Sequence, residues 1–135
     1  MTRLFVDSNV LLYAYGGRHL LRDACRGLVE RATDHQITLH VSVEAIQEFL
    51  HHRMRMDPRE AAVDATRTMY DLCVRHPFDD SVLRRAMDLA AVTSLRGRDA
   101  VHAATALEHG FGAIVSGDPD FNEIPGLRRL DPTAL

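Results

Sequence analysis

Arg3-Leu4-Phe5-Val6-Asp7-Ser8-Asn9 is the stretch on which the fold of this chain turns. Residues 3–6 read as a short strand, mostly apolar and rich in strand formers. Asp7-Ser8-Asn9 then interrupts the apolar run with residues that favour helix N-caps. Val10 to Tyr15 reads as a short helix ended by Gly16-Gly17. A strand thus feeds a helix through an acid at the junction. The same alternation recurs outward from there. In residues 19–34, Leu20, Leu21, Ala24, Cys25, Leu28, Val29 and Ala32 recur at three- and four-residue steps and line one helix face. Ile37 to Val41 alternates as a second strand, and Ser42 can cap the helix that carries Val43, Ile46, Phe49 and Leu50. Asp57-Pro58-Arg59-Glu60 reads as a helix start, with Asp57 at the cap and Glu60 at the third position. That helix is expected to reach about Arg75, and another to span 80–93. Ala100 to His109 is an alanine-rich helix stopped by Gly110. Short strands are expected at 113–116 and 128–130.

Short apolar strands alternating with helices imply parallel strands covered on both faces, joined by right-handed crossovers. The expected fold is therefore α/β, with three layers around a central, mostly parallel sheet of four to five short strands. Its length of 135 residues suits a single domain over 1–135. No apolar run approaches the roughly 18 residues needed to span a bilayer, and no secretory cleavage site follows the N-terminal stretch. Cys25 and Cys73 are too few for a disulfide scaffold. A reduced, cytoplasmic protein is the expectation.

Sixteen basic and 19 acidic residues give a net charge of −3. That balance argues against an ordinary basic nucleic-acid-binding domain. Every basic residue is arginine, and the chain has no lysine.

In parallel α/β sheets the functional site forms beyond the carboxyl ends of the strands. Four acids fall there. Asp7 follows strand one. Glu48 lies about one and a half turns into the helix after strand two, with Glu44 as its rival one turn earlier. Asp99 opens the alanine-rich helix, and Asp118 follows the late strand. Singly, each has a plainer role: a helix cap for Asp7 and Asp99, a solvated face for Glu48, a turn for Asp118. Jointly they would repel one another in a shared site, and a divalent cation resolves that cost. Carboxylates without clustered cysteine or histidine suit a hard ion, Mg2+ or Mn2+. Such an ion lowers the pKa of a water and stabilises charge on a phosphoryl oxygen. Arg96 and Arg98 flank Gly97 beside Asp99 and are candidates for phosphate contacts. His102, three positions after Asp99, is expected to pack, His52 to be solvated, and Arg53, Arg55 and Arg59 are a candidate basic patch.

The chain resembles the PIN-domain ribonucleases, most closely the VapC-type toxins of bacterial toxin–antitoxin pairs. Four ordered blocks carry the resemblance: residues 5–14 around Asp7, 42–49 around Glu48, 98–107 around Asp99, and 115–121 around Asp118. It implies that Asp7, Glu48, Asp99 and Asp118 form the metal site, with Asp7 and Asp99 the most direct ligands. Glu48 rather than Glu44 matches the family acid, because it precedes the aromatic Phe49. Asn9 matches the polar residue that supports the first acid, and Ser116 stands where the family often has threonine. Pro119 departs from the basic residue often found after the fourth acid, and Asp120 is either an auxiliary acid or a turn residue.

The resemblance implies an Mg2+-dependent endoribonuclease toxin, held by a VapB-like antitoxin, as a homodimer or toxin–antitoxin hetero-oligomer. The competing readings are a metal-dependent DNA nuclease and a non-catalytic PIN binding module. A phospho-acceptor switch is disfavoured by the absence of lysine. With the four acids set aside, the remaining charge is 16 − 15 = +1. The overall acidity therefore does not exclude a nucleic-acid enzyme, but it predicts modest, localised electrostatic affinity.

Overall fold

The computed structural model describes residues 1–135. Five strands and six helices follow one another, two helices after each of the first three strands: β1 (Thr2–Phe5), α1 (Ser8–Tyr15), α2 (Arg22–Thr33), β2 (Ile37–Ser42), α3 (Val43–Met56), α4 (Arg59–Leu72), β3 (Val74–His76), α5 (Asp80–Val92), α6 (Gly97–Glu108), β4 (Ala113–Val115) and β5 (Arg128–Leu130). All ladders are parallel. β1, β2 and β3 form one sheet with β2 in the middle, and β4 pairs with β5. A single bridge, Val6 to Val115, joins the two pieces. The expected central sheet is thus two parallel pieces, of three strands and two, meeting at one point.

Side-chain alternation along the strands sorts the core into two layers. Leu4 and Val6, with Ile37, Leu39 and Val41, pack under α1, α2, α3 and α4. Phe5 and Ile114 face the other way, onto α5 and α6. The alanines of α6 (Ala100, Ala103, Ala104 and Ala106) are buried, which brings its backbone close to the sheet. This is the three-layer α/β/α arrangement. Cys25 and Cys73 are both free and buried, in the larger layer.

Several local expectations need correction. The helix expected from 19 starts at Arg22, and Leu20, assigned to its buried face, is 94% exposed. α4 does not open with a capping box. Asp57 closes α3 instead, where Arg53 one turn earlier takes its carboxylate at 2.6 Å, so Pro58 becomes an N-cap without a side-chain bond. Arg53 is therefore buried and paired, and belongs to no basic patch. α4 stops at Leu72, and Val74–His76 forms the edge strand β3 where helix was expected. α6 begins three residues early, at Gly97, so Asp99 sits in its first turn rather than capping it.

Candidate active site

The carboxyl ends of β1, β2 and β4 lead into the site. Asp7 follows β1 and is buried. It caps α1, with Oδ1 accepting the Ser8 N–H at 2.7 Å. Its other oxygen accepts from the Ser116 hydroxyl at 2.9 Å, across the bridge between the sheet pieces. The cap and the site are therefore the same residue, one oxygen serving each.

Ser116 is the hub beneath Asp7. Its hydroxyl proton goes to Asp7, so its oxygen is left to accept from the Asp118 N–H at 3.0 Å and from Asn9 Nδ2 at 3.4 Å. That orients the Asn9 amide and leaves Asn9 Oδ1 buried without a hydrogen-bond partner. Asp118 caps the following 3-10 turn, accepting the Asp120 N–H at 2.9 Å. Asp120 is an exposed turn residue.

Glu48 and Glu44 separate clearly. Glu48 Oε2 accepts from the Ser8 hydroxyl at 2.7 Å, and Oε1 lies 3.1 Å from His102 Nε2. Glu44 makes no side-chain bond to any of these groups. His102 is fully buried, and its Nδ1 lies 2.6 Å from the Ser42 hydroxyl. A carboxylate only accepts, so Nε2 carries the proton that meets Glu48. His102 is thus more than packing: it fixes Glu48. Neither Ser42 nor Ser8 stood out in the sequence except as caps, and His102 lies 54 residues from Glu48 and 60 from Ser42. Only its helical spacing from Asp99 hinted at it. His52 is exposed on α3, as expected.

The electrostatics follow from this packing. Burial pushes the pKa of Asp7 up, against the opposing pull of His102, Ser116 and Ser8. Burial and the charge of Asp7 push Asp99 up to about 6, with Asp118 and Glu48 adding to the rise. Burial opposes charge on Glu48 too, but the bond and charge of His102, with Ser8 and Arg98, hold its pKa below the usual carboxylate range. For His102 burial is outweighed by Glu48, Asp7 and Asp99, and its pKa is raised. The opposed shifts favour charge on both partners of the His102–Glu48 pair, embedded among further acids.

Asp7, Asp99 and His102 each bring a possible ligand atom within 4.8 Å of the others. Both ring nitrogens of His102 are already engaged, by Ser42 and Glu48. The donors left over are carboxylate oxygens of Asp7 and Asp99, with Asp118 near enough to raise Asp99, and the unpartnered Asn9 carbonyl. Hard oxygen donors of this kind fit a divalent cation that prefers oxygen. Beside them Glu48, Arg96, Gly97, Arg98 and Asp99 line an open cleft of about 550 Å³. Arg96 and Arg98 are exposed there and form no ion pair.

Carboxylates gathered at the carboxyl edge of a parallel sheet, between helical layers, define an α/β protein built around a cation-type acidic site. The family model of the PIN domain matches residues 4–127, and the chain belongs to that family. Within it, the chain belongs with the VapC proteins. It is 37% identical over 134 residues to Ribonuclease VapC7 of Mycobacterium tuberculosis, covering 97% of this chain and 92% of that one. It is 30% identical over 131 residues to Ribonuclease VapC13 of the same organism, covering 94% and 98%. The fold also matches VapBC2 of Rickettsia felis, bound to a DNA fragment from its promoter, with a TM-score of 0.75 at 15% identity, over 96% of this chain and 98% of that one. The Mycobacterium tuberculosis toxin VapC20, described as cleaving the sarcin-ricin loop, matches at a TM-score of 0.71 and 14% identity, over 87% and 92%.

Proposed function

We propose that the chain is a metal-dependent endoribonuclease and the toxin of a cytoplasmic toxin–antitoxin pair. The observation that carries this is the convergence of Asp7 and Asp99, both buried or half-buried and both raised in pKa, at a place where His102 is already committed to other partners. Asp7, Asp99 and Asp118 hold Mg2+, or Mn2+, and Glu48 completes the site. When bound, the cation supplies Lewis acidity toward a phosphate and lowers the pKa of the attacking water.

The rest is done by the chain's own groups. Ser116 and the Ser8 N–H orient Asp7. Ser8 and His102 hold Glu48 ionised and in one orientation, as an acceptor for donors of the incoming substrate or water. Arg96 and Arg98 offer guanidinium groups to backbone phosphates along the cleft. Asn9 and Ser116 support the acids by hydrogen bonding. The curated relatives named as ribonucleases support RNA as substrate, and the VapBC neighbours support a VapB-like antitoxin partner, in a hetero-oligomer or beside a toxin homodimer. No helix is long and apolar enough to cross a membrane.

The test is cleavage of total RNA and of single-stranded DNA, in parallel, with and without Mg2+. RNA cleavage is expected from the wild type and none from Asp7→Asn or Asp99→Asn, with the fold retained. Full activity in both variants overturns the assignment, and cleavage of DNA alone replaces the substrate.

A further inference from the structure

The loop between α1 and α2 carries an aromatic pair that the hydrolytic chemistry leaves unused. Tyr13, in the last turns of α1, is stacked on His19, with ring centroids 3.8 Å apart and planes 10° from parallel. The Leu21 N–H donates to His19 Nδ1 at 3.0 Å. With Nδ1 engaged as an acceptor, Nε2 is the ring's remaining nitrogen. An exposed histidine is thus held still by two contacts, one on its face and one on its edge. His19 is exposed although Tyr13 covers one of its faces.

The pair stands against the fourth acid. A methyl group built on Gly117, the residue before Asp118, would sit 3.6 Å from Tyr13 Cε2 and 2.3 Å from Leu21 Cδ1. Glycine at that position lets the loop close down on the turn that carries Asp118. Tyr13 also senses the site, since burial and then the charges of Asp7 and Asp118 raise its pKa. Arg18 precedes His19, exposed and outside any ion pair.

A chain of net charge −3, or +1 with the four site acids set aside, draws little general attraction for a polyanion. Contacts that do not depend on charge can then add to the localised arginine contacts in positioning the strand. Bases stack on exposed aromatic rings regardless of sequence, because every base has a π-face. We propose that His19, seated on Tyr13, is a stacking platform for a nucleobase next to the phosphodiester that is cut, so that residues 16–21 form a substrate-positioning element. The inference rests on the ribonuclease reading.

The experiment compares wild type, His19→Ala and His19→Phe on a single-stranded RNA oligonucleotide with Mg2+, at low and high salt. Base stacking is also followed by quenching of a 2-aminopurine-substituted RNA on the inactive Asp99→Asn background. His19→Ala is expected to raise KM about tenfold, to change kcat less than about twofold, and to abolish the quench. Its KM ratio to wild type should be the same at both salt concentrations, as for a stacking contact. His19→Phe should restore both KM and quench. An unchanged KM in His19→Ala overturns the inference, as does a His19→Phe variant as defective as alanine, which would assign the role to the Nε2–H. Wild-type protein that neither cleaves RNA nor quenches the probe overturns the ribonuclease reading together with the platform. RNA cleavage that is indifferent to residue 19 overturns the platform alone.

Discussion

Along the seam between α6 and the sheet, the protein holds histidines in two settings. At the carboxyl end of β2, His102 is buried among Asp7, Glu48 and Asp99. Two residues back along β2, on the same face as Ser42, His40 lies 2.9 Å from His76 across the sheet, and His76 packs against His109, seven positions after His102. There the company is different: the guanidinium of Arg3 sits over Phe111, and Phe111 lies beside His40. Burial lowers the pKa of His76 to about 4, with His109, His40 and Arg3 adding to the effect, while burial and Arg3 lower that of His40. Both settings desolvate an imidazole. Burial opposes charge in both, and the neighbours decide the outcome: carboxylates outweigh burial and raise the pKa of His102, whereas Arg3 and the other histidines add to burial and lower those of His40 and His76.

The two settings push stability in opposite directions over nearly the same pH range. Asp99 has a folded pKa of about 6, above its ordinary value of 3.8. The stability it contributes is full below the ordinary value and is lost as pH rises through about 6. His76 has a folded pKa of about 4, below its ordinary 6.5. Its contribution is present above the ordinary value and is lost as pH falls toward about 4. Metal-free protein therefore carries two opposed slopes, one from each setting.

The largest effect expected from breaking this contrast is in activity. Asp99→Asn should lower RNA cleavage about a thousandfold, since each 1.36 kcal/mol of barrier is tenfold and a metal site supplies several. It should also raise the metal-free Tm at neutral pH by removing a like charge. A fall in that Tm would show that Asp99 does not strain the site. Next, His102→Ala should cost about 3 kcal/mol in urea unfolding, because it strands a partner of a buried charged pair. His76→Leu should cost clearly less, and the reverse order would erase the distinction between the settings.

Saturating Mg2+ comes third. At about 100 times its dissociation constant it should stabilise the fold by about 2.7 kcal/mol, a gain measured by Tm that shrinks below about pH 6 as Asp99 takes up its proton. An equal gain at pH 5 would place the cation elsewhere. Fourth, His76→Leu should flatten the loss of Tm between about pH 6.5 and 4 while leaving the Mg2+ response intact. The smallest effect is expected from Glu44→Gln, which should leave cleavage within about twofold and stability within about 0.5 kcal/mol. A large loss there would return Glu44 to contention with Glu48.

Legibility in the sequence followed the reach of each interaction. Asp7 and Asp118 could be placed at one sheet edge because each directly follows a strand, and Asp99 because it opens a helix, all of which are local properties. The pairing of Ser42, His102 and Glu48 could not, because it is made between residues 54 and 60 positions apart. β3 was missed because three residues at a sheet edge, half exposed, lack the alternation that marks a buried strand. The start of α4 was misassigned for a different reason. Asp57 fits a capping box, yet Arg53, one turn earlier, competes for the same carboxylate and takes it. Local signals of equal quality were settled by which partner folding brought closer.

The single bridge between Val6 and Val115 has a consequence for the order in which the molecule comes into being. Asp7 belongs to the piece of the sheet that a ribosome delivers first, whereas Ser116, which holds its second oxygen, is 109 residues downstream. A nascent chain that has produced β1, β2 and β3 with their helices still lacks Ser116 and Asp118. Under the proposed function, the acidic site is incomplete until β4 docks on β1 and brings Ser116 and Asp118 to Asp7.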